Sequence, residues 1–482
     1  MNPEELINYS IEHGQQLGAR FVEARIVDAG DMTYVMRNGS FLSIQQKSSQ
    51  GIGIRVLANN GMGFGSTEIL TKEGITEALG NAIRFAKSVK TDNPIKFSEE
   101  KIVKTEWSTS VKKAIMDISN EEKQAYLKEM EQKLKGELGK SLKNRIILLM
   151  GNIETKYLGT SEGTYIKSQN SLPAIFTLNT AKGPLGSEQR IFSLGGSGGW
   201  EWFHEQKIQD LVINDARGLV NTAQKAKSIK FDKSVDVIIS SEVSGIMAHE
   251  NVGHPSEADR IFGREGAQAG ESFYADLLQN GKLGEIQLGS SEVNIIDDPT
   301  MPGNAGYYMY DDEGVKSQPR YLIKNGMLNE LYLNREFAAR MNLQSNAPAR
   351  AITFDREPIT RMANTYFGPG SFGSIEELAE DIKDGIYMKS FTEWNIDDRR
   401  FQSKYVGLEV YRIQNGEITS EMVRRPVLEL TTKGILMNID GATKKYFAPY
   451  GTCGKSDPMQ GVPVSMGGSE VRMRGINVGG RD

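Results

Sequence analysis

The chain has 482 residues, enough for two or three domains, each with its own core. With 38% hydrophobic and 25% charged residues and a mean hydropathy of −0.42 it reads as an ordinary globular protein, and no stretch reaches the apolar length of a membrane span. A net charge of −5 offers no bulk attraction for nucleic acid or an anionic membrane, and a single Cys excludes an intrachain disulfide, as suits a reducing compartment. Met1-Asn2-Pro3-Glu4-Glu5 opens acidic with no apolar segment of signal-peptide type, so a cytoplasmic location is expected.

The first element is a helix with Leu6, Ile7, Ile11 and Leu17 roughly on one face and Gly18 as its stop. Extended segments are expected over 21–27, 32–36 and 41–46, with Asn38-Gly39 as a hairpin turn; Ile52, Ile54 and Val56 alternate with smaller partners before the Asn60-Gly61 turn. A helix from about Thr71 carries Ile75, Leu79, Ala82 and Ala86 inward. Residues 90–108 read as a connection. Ser119 and Glu122 form a capping box for a charged helix ending near Leu134, and 145–150, 153–158 and 163–168 read as a meander turning at Ser161-Glu162-Gly163.

Leu194-Gly195-Gly196-Ser197-Gly198-Gly199 lacks the Gly-Lys-Ser/Thr ending of a phosphate loop and reads as a flexible connection. An amphipathic helix follows with Ile208, Leu211, Val212, Asp215, Leu219, Val220 and Ala223. The Lys-rich stretch 225–233 marks the expected boundary between an N-terminal α+β domain, 1–230, and a C-terminal domain, 231–482. That second part opens with a short buried-type strand, Val235-Asp236-Val237-Ile238-Ile239, and Ser240 or Ser241 caps the helix after it. Beyond it the chain is rich in Gly, with hairpin turns at Asn325-Gly326 and Asn415-Gly416 and a helix from Ser374 to about Ile382.

The chemistry concentrates on that capped helix, which carries Ala248-His249-Glu250-Asn251-Val252-Gly253-His254-Pro255 in a chain with only four His. Two imidazoles and an adjacent carboxylate are what a hydrolytic zinc site needs, because neutral His nitrogens hold the metal while the Glu takes a proton from bound water. His residues four apart share a helix face, whereas five apart point about 140° away from each other on an ideal helix. For His249 and His254 to chelate one ion the helix must widen by one residue or end, and Gly253 and Pro255 flank the place where it can. The plain alternative is a helix C-terminus with two incidental imidazoles.

A catalytic zinc usually takes a third protein ligand, and Glu257, Asp259 and Cys453 are candidates. Cys453 alone reads as an inert buried thiol, but glycines flank Thr452-Cys453 and Lys455 is placed to favour a thiolate. The acidic stretches Asp297-Asp298 and Asp311-Asp312-Glu313 adjoin Pro or Gly and read as solvated turns rather than a second metal site.

The chain resembles the TldD/PmbA family of metallopeptidases along most of its length. The resemblance is carried by Gly51-Ile52-Gly53-Ile54-Arg55-Val56, by His249-Glu250-Asn251-Val252-Gly253-His254 with Glu257 and Asp259, and by Ile296-Asp297-Asp298-Pro299 through Asp311-Asp312-Glu313-Gly314. It continues through Arg361-Met362-Ala363-Asn364-Thr365, Gly385-Ile386-Tyr387, Cys453-Gly454-Lys455 and Asn477-Val478-Gly479-Gly480. The His-Glu motif together with Cys-Gly-Lys marks the metal-bearing branch. The resemblance implies an α+β two-domain subunit that dimerises with itself or with a motif-lacking relative. It implies zinc held by His249, His254 and Cys453, with Glu250 as base, and small or unfolded peptides bound as an added strand in an enclosed cavity. Pro255 stands where bacterial relatives commonly have Gly. Two other readings stay open: a regulatory or binding protein with a purely structural zinc, and a thiol hydrolase with Cys453 as nucleophile and a motif His as base.

Overall fold

A computed structural model describes residues 2–90, 93–265 and 270–480. Helix α1 (Pro3–Gln16) opens with a capping box in which Asn2 Oδ1 accepts the Glu5 N–H at 2.8 Å and the Glu5 carboxylate accepts the Asn2 N–H. Strands β1 (Phe21–Arg37), β2 (Ser40–Ala58), β3 (Gly61–Thr67), β4 (Lys104–Ser108), β5 (Leu142–Thr160), β6 (Tyr165–Gly183) and β7 (Gly186–Gly195) make one sheet. Its order is β3-β2-β1-β5-β6, and the far edge of β6 is shared by β4, in parallel, and β7. Among the described residues no helix is long and apolar enough to cross a membrane.

One face of this sheet is covered by helices. Val22, Ala24 and Ile26 of β1 pack under α1 and α2 (Lys72–Ser88). Met32, Tyr34 and Met36 pack with α3 (Asn120–Leu138), α4 (Glu201–Glu205) and α5 (Ile208–Lys225). Gly63 allows α2 to lie directly on β3, since a Cβ there would sit 2.0 Å from the Ala82 carbonyl. The opposite face turns to the second half of the chain. Buried Arg55 bridges Glu23 at 2.6 Å and Glu313 at 2.8 Å, and Arg25 donates to the carbonyls of Thr353 and Arg356. Even and odd positions of one strand therefore serve two different packing partners.

Several elements differ from the expectation. The segments 21–27 and 32–36 are one strand, as are 145–150 and 153–158, because β1 is hydrogen-bonded on both sides to β2 and β5 through its polar middle. Main-chain pairing there replaces the apolar alternation that sequence patterning relies on. The 90–108 connection contains β4, while its residues 91 and 92 lie outside those described. The capped helix α3 continues to Leu138, beyond Leu134. Residues 195–199 are buried rather than loose: a Cβ on Gly196 would meet the Gly303 carbonyl at 2.0 Å and one on Gly199 the Lys113 carbonyl at 2.3 Å, so these glycines are needed for close backbone approach.

The second half contains three larger sheets. In one, β8 (Val235–Ile239) lies between Asp384–Met388, with which it runs parallel, and Val471–Ile476. A second runs from Met327–Leu328 through Arg320–Lys324, Ile295–Asp297, Asn364–Phe367 and Gln460–Gly468 to Tyr450–Lys455, its last strand. The third joins Phe391–Ile396, Gln402–Gly407, Pro426–Thr431 and Val478–Gly480. Helix α6 (Ser241–Ala248) follows β8 directly, capped by Ser240, whose Oγ accepts the Val243 N–H. It rests on the second sheet at Gly245, where a Cβ would lie 2.2 Å from the Gly467 nitrogen. The architecture is α+β with mixed sheets, and the motif helix is mounted on a strand.

The acidic stretches are not solvated turns. Asp297, Asp311, Asp312 and Glu313 are buried. Asp297 pairs with Arg320 and accepts the Ala363 N–H and the Thr365 hydroxyl, and Asp311 accepts the N–H groups of Glu313, Val315 and Ala349. Long-range partners convert turn-like acidic sequence into internal crossbraces.

Candidate metal centre

Helix α6 ends at Ala248 and the chain widens into a π-helical turn over His249–Gly253, closed by the His254 N–H donating to the His249 carbonyl. A hydrogen bond from i+5 to i brings residues five apart onto one side, as the ordinary bond does for residues four apart. The two rings consequently meet, with centroids 4.9 Å apart and planes at 81°. His254–Ser256 then tightens into a 3-10 turn that accommodates Pro255.

Cys453 arrives from the terminal strand Tyr450–Lys455, its Sγ 3.6 Å from His254 Nε2. One ligand atom from each of His249, His254 and Cys453 falls within 4.8 Å of the other two, and all three residues are buried. Burial pushes both imidazoles toward their neutral, lone-pair-bearing forms. Burial also raises the Cys453 thiol, but His254 and Arg361 outweigh it and bring the pKa to about 7. His249 Nδ1 is buried with no hydrogen-bond partner among the described residues. An orphaned nitrogen beside a second imidazole and an easily ionised thiol is a donor set that fits zinc.

The other two third-ligand candidates are occupied elsewhere. Glu257 Oε2 lies 3.0 Å from His254 Nδ1, which donates to it and so leaves Nε2 free on the Cys453 side. Burial opposes the charge on Glu257, yet Lys455, His254 and Arg260 hold its carboxylate well below the usual range. Lys455 Nζ contacts both oxygens of Asp259 at 2.7 Å and the Thr360 carbonyl at 2.9 Å. The expectation that Lys455 favours the thiolate is thus corrected. Arg361 supplies that charge, donating to the Cys453 carbonyl and to the Gln460 carbonyl at 2.8 Å. Sequence reading had Arg361 only as part of the family resemblance, since nothing in its spacing points to Cys453.

Glu250 stands outside the trio, nearly buried, and accepts from Arg400 Nη1 at 2.8 Å. The next residue, Asn251, donates to Ser403 Oγ at 3.0 Å and to Thr432 Oγ1 at 2.9 Å, and accepts the Tyr405 hydroxyl at 2.6 Å. These contacts pin the widened turn to the third sheet. Arg400 and the Asn251 partners carried no signal in the sequence.

Comparison with known proteins gives matches along the chain. Models described as PmbA/TldA metallopeptidase domain 1, central domain and C-terminal domain match residues 22–86, 114–229 and 232–480. A metalloprotease of Methanothermobacter thermautotrophicus is 30% identical, with 95% of each chain covered. A zinc metalloprotease TldD homolog of Saccharolobus solfataricus is 28% identical, covering 98% of this chain and 99% of that one. Among solved structures, TldE of Thermococcus kodakarensis aligns with a TM-score of 0.73 at 13% identity, over 98% of this chain and all (100%) of that one. A Thermotoga maritima crystal structure aligns at 0.77 with 18% identity, over 99% and 100%. These structural likenesses speak to the fold.

Proposed function

The chain belongs to the PmbA/TldA metallopeptidase family, and from that premise we propose that it is a zinc-dependent peptidase acting on small or unfolded peptides, with His249, His254 and Cys453 as ligands and Glu250 as base. The observation that carries the reading is the buried His249, His254 and Cys453 cluster, with ligand atoms within 4.8 Å of one another and Glu250 next to the first of them in sequence. Zinc bound there would lower the pKa of its water toward about 7 and polarise the scissile carbonyl. His254 is oriented for its part by Glu257. Glu250 takes the water proton and returns it to the leaving amine.

Tyr450–Lys455 is the last strand of its sheet, which supports an extended peptide adding to it beside Cys453. A cavity of about 370 Å³ borders the same strand, lined in part by Glu154, Lys156, Tyr307, Tyr310 and Thr452. The division at 230/231 into an N-terminal part and a zinc-bearing catalytic part belongs to the same reading. So do a cytoplasmic location and assembly as a homodimer or as a heterodimer with a motif-lacking relative. The likeness to a TldE structure supports such a pairing.

The purified chain is expected to hold close to one zinc, to lose peptide cleavage to a chelator and to regain it with zinc. Short peptides and unfolded segments should be cut while compact proteins are spared. Rapid cleavage inside a rigid folded domain would remove the enclosed-site part of the reading, and zinc without any peptide turnover would leave a structural-metal protein. Glu257→Gln is expected to weaken zinc affinity about 10- to 100-fold with all three ligands still present. Chelator competition measures this, and unchanged affinity would show that the Glu257 contact does not tune His254.

One observation favours the thiol-hydrolase reading: Cys453 Sγ and His254 Nε2 lie 3.6 Å apart, a nucleophile-and-base arrangement. Inactivation by thiol alkylation with zinc fully retained would select it.

A further inference from the structure

We propose that Arg400 is the site's anion-holding residue, resting on Glu250 in the free chain and turning to the peptide's carbonyl oxygen as negative charge develops there. The proposal rests on the peptidase reading above. Arg400 and Glu250 form an ion pair with both side chains mostly shielded, 12% and 9% exposed. Arg400 Nε is buried with no partner among the described residues, so the guanidinium that contacts Glu250 through Nη1 keeps an unused donor. Its charge also acts on His249, placing it beside the candidate metal cluster as well as the base.

The backbone holds Arg400 in place firmly. It adopts φ +63, in the left-handed region that a non-glycine residue enters only at a cost. Its N–H donates to the Asp397 carbonyl at 3.0 Å, and the Asp397 side chain accepts the N–H groups of Phe401 and Gln402. Thr432 Oγ1 donates to the Arg400 carbonyl at 3.1 Å and itself accepts from Asn251 Nδ2. The residue after Glu250 and the backbone of Arg400 are thus joined through one hydroxyl. Arg400 is the positive-φ residue of the hairpin loop between Phe391–Ile396 and Gln402–Gly407, and that loop is wired to the turn that bears the base.

The charge movement gives the pair a use. As the water's O–H bond breaks, its proton goes to Glu250, its oxygen bonds to the carbonyl carbon, and the carbonyl π pair moves onto the carbonyl oxygen. The charge that Arg400 faced on Glu250 is then on that oxygen, and a guanidinium in contact with the base follows it by a small rotation. The proton returns to the amine nitrogen as the C–N bond breaks, the hydroxyl proton left on the new carboxylic acid passes to the freed amine, and the product carboxylate remains for Arg400 to hold.

The test has two arms. With zinc content matched to that of the unsubstituted protein and the variant folded at the assay temperature, Arg400→Ala should lower kcat about 100-fold with a smaller effect on KM. Arg400→Lys should recover part of the loss, and added guanidinium should partly rescue Arg400→Ala. Independently of turnover, the metal-free Glu250→Gln protein, whose Arg400 has no carboxylate partner, should bind a peptide ending in a free carboxylate about tenfold more tightly than its C-terminal amide. That preference should vanish in Glu250→Gln/Arg400→Ala. Near-normal kcat in Arg400→Ala overturns the proposal, as does a carboxylate preference absent from the single variant or retained in the double. If the unsubstituted chain cleaves no peptide, the peptidase reading fails, while the carboxylate comparison still decides for or against Arg400.

Discussion

Glu250→Gln is expected to keep its zinc and its fold and to lose about 10²- to 10⁴-fold in peptide turnover, the usual effect of removing a general base. The amide is nearly isosteric with the carboxylate but cannot take the water proton. Glu250 is not one of the three clustered ligand residues, so metal affinity should be little changed. The variant also breaks the ion pair with Arg400, and because both side chains are mostly shielded a modest drop in melting temperature is expected. Zinc content, melting temperature and turnover measured on one preparation separate the readings. A structural-zinc protein has no turnover to lose, and a Cys453 nucleophile gives no reason for a large loss at Glu250. Retained zinc with near-normal turnover would remove Glu250 as the base.

Cys453→Ala is expected to weaken zinc binding by more than about 100-fold, exceeding what removal of a supporting hydrogen bond does to a metal site. The thiol already lies near neutrality in pKa because His254 and Arg361 outweigh its burial, so it reaches the ligating thiolate form readily. Its removal leaves two imidazoles in a buried site whose other candidate ligands, Glu257 and Asp259, are paired with His254, Arg260 and Lys455. The protein should stay folded, because the loss of one sulfur from the large second-half core is a small cavity. Metal analysis and chelator competition measure the loss. Full zinc affinity in Cys453→Ala would exclude the residue as a ligand, and full affinity with abolished turnover would turn the assignment toward a nucleophile.

Much of the local structure around the site was legible. Val235–Ile239 followed by Ser240 and an apolar run describes a strand, a cap and a helix by neighbouring residues alone, and these elements form with those limits. The offset of five between His249 and His254, with Gly253 and Pro255 at hand, called for a widened or ended helix, and a π turn is the structure's solution. Turns were legible for the same reason: Asn38, Asn325 and Asn415 each adopt positive φ ahead of a glycine. The extents of β1 and β5 were not, because their polar middles are held by strands on either side rather than by a local pattern.

What the amino-acid sequence determined by itself is therefore whatever depends on near neighbours: caps, turns, helix faces and a His-Glu motif that demands a break in helical geometry. Family resemblance pointed across a long separation to Cys453, but the tertiary structure decided which charges surround it. Lys455, two residues away, is drawn to Asp259, while Arg361, from the connection that leads into Asn364–Phe367, reaches the Cys453 carbonyl. Asp297 and Glu313 are buried crossbraces, and Arg400 sits on Glu250, for the same reason. Coulombic and hydrogen-bond partners are selected by sheet order and by what desolvation makes intolerable to leave unpaired, and neither is written in the spacing of residues along the chain.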